Sequence, residues 1–134
     1  MAFPISLKQW PVPKRGAKSR SMADLLLVLT KLGITKVFDI RRSDYASAKQ
    51  FKYPSLKSAL EQADIEYVVE RRLANRDKAN TSEEYLTPER QEFLQKELLL
   101  AEKTGFLCYC TEAEQNEFRC HAAWVCDYLR KNVL

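Results

Sequence analysis

Three short apolar runs constrain this chain more than any other feature: KVFDI at 36–40, IEYVV at 65–69 and GFLCYC at 105–110. They alternate little in polarity, which is the pattern of strands buried on both faces. Between them lie stretches with apolar residues at helical spacing. Strands separated by ten or more helical residues pair in parallel through crossovers rather than as hairpins. Such crossovers are right-handed and cover the sheet with helices on both sides. The predicted fold is a three-layer α/β sandwich around a small, mostly parallel sheet of about four strands. The fourth strand comes from the chain start, where Phe3, Ile5 and Leu7 alternate. Pro4 cannot donate to a ladder, so that strand belongs at an edge.

The intervening helices carry their own start and stop signals. Ser21 and Asp24 form a capping box ahead of Leu25, Val28, Leu29 and Leu32, and Gly33 ends that helix. Leu56, Ala59, Leu60 and Ala63 mark a second helix. Thr87 and Pro88 open a long third one with the stripe Leu94, Leu98 and Ala101, closed by Gly105. A final helix holds Ala122, Val125, Cys126 and Leu129 on one face. It has two competing starts, a cap at Asn116 or a capping box from Thr111 to Glu114. The chain of 134 residues reads as one α/β domain over 1–134, with 1–20 as an edge strand and basic arm.

A hydrophobic fraction of 46% and a charged fraction of 30% exclude a disordered chain. No apolar run is long enough to cross a bilayer, so no membrane partner is expected. The start MAFPISLKQW lacks the charged and apolar regions of a signal peptide. The expectation is a cytoplasmic, reducing location in which cysteines stay as thiols. Five basic residues, Lys8, Lys14, Arg15, Lys18 and Arg20, precede the first acid, Asp24. That arm suits either a phosphate-bearing partner or a plain solvated terminus.

Open parallel sheets bind ligands beyond the carboxyl ends of their strands. Arg41 and Arg42 follow the first of the three apolar runs and Arg71 and Arg72 follow the second, while the last finishes with Cys108 and Cys110 and its loop leads into Arg119, Cys120 and His121. All four cysteines and the one histidine lie within 106–129. Guanidinium groups grip phosphate or carboxylate in a fork, and cations favour the nucleophilic thiolate.

Several readings of this cluster compete. A zinc site fits poorly, because C-x-C followed by an adjacent Cys-His pair lacks the usual ligand gaps, and neither metal nor cofactor is expected. In a thiol-based site Cys108 or Cys120 would be the nucleophile and His121 the base. Arg41, Arg42, Arg71 and Arg119 would hold an anionic small molecule or nucleic-acid component. In a purely structural reading Cys126, and even Cys108, are core residues. A fourth reading is a non-enzymatic nucleic-acid or nucleotide binder. It would use the basic arm, Arg41, Arg42, Arg71, Arg72, Arg76 and Lys78, with Trp10 and Tyr45 stacking on bases.

Certain stretches together resemble the domain of unknown function 488 family. They are GAKSRSM (16–22), FDIRRSDYASAKQF (38–51), ADIEYVVE (63–70), FLCY (106–109) and RCHAAWVCDYL (119–129). The resemblance covers roughly residues 16–130. It implies a small α/β fold and puts Arg41, Cys108, Cys120 and His121 on the family's motif positions. Ala17 stands where the family has a histidine and Ala122 where it has an arginine, with Arg119 on the other side of the Cys-His pair as a substitute. The resemblance implies a fold and a site, and no particular reaction.

Overall fold

In a computed structural model, which describes residues 1–7, 21–42, 49–109 and 117–134, the three apolar runs and the alternating segment at the chain start become four parallel strands. Strand β1 is Ala2–Ser6, β2 Lys36–Asp39, β3 Glu66–Val69 and β4 Thr104–Cys108, in the order β1-β4-β2-β3. Pro4 therefore lies at an edge, as its missing N–H requires. Register aligns Phe38 with Phe106 and Asp39 with Leu107, while Ile40 N–H donates to Leu107 O at 3.0 Å. These central strands carry the candidate site at their carboxyl ends.

Helices cover both faces. Helix α1 (Met22–Leu32) is capped by Ser21 Oγ, which accepts from Asp24 N–H at 3.1 Å. It ends at Gly33, whose φ of 70° is the left-handed conformation a helix stop needs. Helix α2 (Tyr53–Gln62) has a proline in its first turn and buries Leu56 and Leu60. Leu25, Leu29, Leu56 and Leu60 pack with Val37, Tyr67 and Leu107 into one core layer. On the opposite face Phe38, Ile40, Phe106 and Cys108 pack beneath helix α5 (His121–Asn132). Helices α3 (Ser82–Tyr85) and α4 (Pro88–Glu92) contribute Tyr85, Phe93 and Leu94 to that second layer through α4's π-helical continuation, Phe93–Glu97.

Two boundaries differ from the sequence expectation. The helix opened by Thr87 and Pro88 stops at Glu97, and Leu98 is extended. Its ten residues span about 15 Å, which matches the length of a five-residue strand, so the chain has already returned to the amino end of the sheet. Gly105 is therefore no helix stop. It sits inside β4, where a Cβ would lie 3.2 Å from Ile5 Cγ1 and 3.3 Å from Ile34 Cδ1. Close packing against the α1/α2 layer is what demands glycine there.

The last helix also starts later than either predicted cap. Glu117, Phe118 and Arg119 are not helical, Phe118 has a left-handed φ of 60°, and Cys120 is itself the cap residue in extended conformation. Asn116, Thr111 and Glu114 lie outside the described residues. No helix among the described residues is long and apolar enough to cross a membrane.

Candidate active site at the carboxyl rim

Alternation along β4 decides which way its sulfur points. Leu107 enters the α1/α2 layer, so Cys108 turns to the α5 side. The left-handed turn at Phe118 brings the chain back over the same point, and Trp124 Nε1–H donates to Phe118 O at 2.8 Å to hold it. Cys120 arrives from that turn with its Sγ 3.2 Å from Cys108 Sγ. Cys108 Sγ also lies 3.9 Å from Ile5 O on the neighbouring strand. Both thiols are covered, with relative exposures of 0% and 1%.

His121, the first residue of α5, joins the group through the strand end. Its Nε2 is 2.8 Å from Ile40 O. A carbonyl can only accept, so Nε2 carries the hydrogen and Nδ1 of the neutral ring holds the lone pair. The residue as a whole is 8% exposed. Tyr85 flanks it at 5.7 Å between ring centroids, and lies equally close to Trp124. The Tyr85 hydroxyl donates to Leu73 O at 2.6 Å, and burial raises its pKa. Arg90 lies 4.4 Å over the Tyr85 ring and donates to Tyr85 O at 2.8 Å and Ala74 O at 3.1 Å.

Arg41 leaves the same rim in the other direction. Residues 39 and 41 share a strand face, and Arg41 Nε and Nη2 donate to the Asp39 carboxylate at 2.9 and 2.7 Å. The Tyr67 hydroxyl also donates to Asp39 Oδ2, and Arg41 lies 5.1 Å over the Tyr53 ring. This network belongs to the α1/α2 side. Burial opposes the Arg41 charge, but the hydrogen bond and attraction from Asp39 outweigh it and raise the guanidinium pKa. Tyr67 is pushed up by burial and then by the Asp39 charge, so it stays a neutral donor.

The remaining predicted arginines are on the surface. Arg42, Arg71 and Arg119 are exposed. Arg119 pairs with Glu117 at 2.6 Å. Arg72 pairs with Glu70 and lies 3.9 Å over Phe93. The structure thus gathers Cys108, Cys120 and His121 around the ends of β2 and β4, while Arg41 is committed to Asp39 across the sheet. A groove of about 410 Å³ lies elsewhere, lined by Arg72, Asp77, Thr87, Glu89, Arg90, Phe93 and Glu97. Its two arginines face three carboxylates, so it is no anion cradle.

Asp39, Tyr67, Tyr85 and Arg90 are not among the residues that sequence reasoning selects. The D-x-R spacing at 39–41 is a usable signal, because alternate residues of a strand share a face. Nothing in the sequence joins Tyr85 to His121. Cys126 is buried within α5, and burial raises its thiol pKa, which suits packing rather than chemistry. Among the described residues no three His, Cys, Asp or Glu side chains cluster to hold a metal, and Cys110 lies outside them.

Comparison with known proteins gives one match. A model of the family described as "Domain of unknown function DUF488" matches residues 21–129. No curated protein and no solved structure matches the chain.

Proposed function

This chain belongs to the DUF488 family, and from that premise we propose that it is a thiol-dependent enzyme acting on an anionic small molecule or a nucleic-acid component. Cys120 is the nucleophile. His121 serves as the base through Nδ1, since Nε2 is taken up by Ile40 O. The exposed guanidinium groups of Arg42, Arg71 and Arg119 draw the anion toward the rim. One observation carries the reading: the single histidine and two thiols 3.2 Å apart meet where a strand ends and a helix begins. Both sulfurs are covered, so attack by Cys120 requires the site to open locally.

Two disulfide probes test the charge and the thiol together. An anionic dinitrobenzoate disulfide should react with Cys120 faster than a neutral dipyridyl disulfide, relative to the same ratio in unfolded protein. Salt should shrink that preference, as should Arg42→Ala with Arg119→Ala. Equal ratios in native and unfolded protein would sink the anionic substrate. A native Cys120 that reacts no faster than global unfolding would sink the enzyme.

The exposed Arg71, Arg76 and Lys78 beyond β3 favour a second reading, non-enzymatic binding of nucleic acid. Salt-dependent DNA or RNA binding that survives Cys120→Ser and His121→Gln would select it.

A further inference from the structure

Catalysis by Cys120 leaves Cys108 without a task, although its sulfur lies 3.2 Å away. That is closer than two unbonded sulfurs ordinarily approach. We propose that Cys108 is a resolving thiol, so that the pair cycles between a dithiol and an intramolecular disulfide in exchange with low-molecular-weight disulfides. The inference rests on the reactivity of Cys120 proposed above and adds a redox partner to it.

The local backbone suits bond formation. A disulfide has sulfurs about 2.05 Å apart, so closure requires a movement of about 1 Å. Cys120 precedes the helical residues of α5 and is tied into the helix by its carbonyl, which accepts from Trp124 N–H at 3.1 Å. It can shift toward Cys108 without breaking into the helix. Cys108 is fixed by the sheet, where its carbonyl accepts from Leu7 N–H at 3.1 Å. One thiol is anchored and the other stands at a junction, which suits the two roles of a resolving pair.

The chemistry is two exchange steps. The Cys120 thiolate attacks one sulfur of an external disulfide, forms a mixed disulfide and expels one thiolate. Cys108, deprotonated as it attacks, bonds to the Cys120 sulfur and expels the second thiolate. Two protein thiols are oxidised, and the external disulfide is reduced to two thiols that take up the protons.

Oxidised glutathione is the probe, followed by alkylation of the remaining thiols and peptide mapping. The native protein should lose two hydrogens in mass and yield a linked Cys108–Cys120 peptide. Cys126 should be alkylated only after denaturation. The variants Cys108→Ser and Cys108→Ala, with folding checked by circular dichroism, should instead accumulate a stable glutathione adduct on Cys120, at least ten-fold above wild type. A persistent Cys120 adduct in the wild-type protein would overturn the resolving role and leave the nucleophile intact. A link from Cys120 to Cys110 or Cys126 would overturn it equally. Absence of any Cys120 modification would remove the reactive thiol itself, and both proposals with it.

Discussion

The two faces of the sheet finish differently at the same rim. Toward α1 and α2, the end of β2 closes with Asp39, Arg41 and Tyr67, a charged network bonded in several directions. Toward α5, the ends of β2 and β4 present Ile40 O, Cys108, Cys120 and His121. The first group is an ion pair with side-chain exposures of 2% and 0%, and its geometry leaves the carboxylate heavily used. The second is built from thiols, which are poor hydrogen-bond donors and add little to stability by touching. Under the proposed function, the difference separates a structural site from a chemical one. The charged face holds the strand end in place, and the sulfur face carries the groups to which that proposal assigns the reaction.

Removing one member of the charged face should give the largest effect. Asp39→Asn leaves Arg41 facing a neutral amide in a buried place and should cost about 3–5 kcal/mol in urea unfolding. Replacing both, as in Asp39→Leu with Arg41→Met, should recover much of that loss. If Asp39→Asn is nearly silent, the network does not secure the rim.

Alkaline pH should weaken the fold next. Burial raises the pKa of Cys126, Tyr67 and Tyr85 in the folded protein. A raised pKa means the stabilising contribution is complete below the unfolded value and is lost as pH climbs toward the folded one. Loss should therefore begin near pH 8.5 for the thiol and near pH 10 for the phenols, at up to about 1.4 kcal/mol per unit for each group. Cys126→Ala should remove the portion that starts near pH 8.5. A stability curve unchanged by that substitution would contradict the assignment.

Cys120→Ala should disturb the fold least. It deletes one small buried group and should cost about 0.5–1.5 kcal/mol in the same urea titration, as removal of a methyl-sized group does. A cost near that of Asp39→Asn would make Cys120 a structural residue and erase the contrast between the faces.

Much of this architecture was legible from residues alone. Uniform apolar runs at 36–40, 65–69 and 105–110 announced parallel strands, of which the first and last are buried while the 65–69 strand, at a sheet edge, is only partly so. Ser21 and Gly33 marked both ends of α1. Cys126 among Val125 and Leu129 was recognisable as core. The residues beyond each strand end could also be read, but not the face onto which each turned. Grouping by strand end makes Arg41 and Cys108 neighbours, whereas alternation sends Arg41 with Asp39 to one side and Cys108 with Ile40 to the other. The return length of the chain, rather than any stop signal, ended α4's helical run at Glu97. A left-handed phenylalanine has no signature in composition, so the cap position of Cys120 was hidden until Phe118 was seen to turn the chain.

Selective alkylation in the native state tests the division between the faces most directly. Folded protein at neutral pH is treated with iodoacetamide for increasing times and each cysteine is quantified by mass spectrometry. Cys120 should be modified first and at least ten-fold faster than Cys126, and His121→Gln, which can still donate to Ile40 O, should slow it. Equal, slow modification of Cys120 and Cys126 that tracks unfolding would mean that the sulfur face is core like the rest of α5.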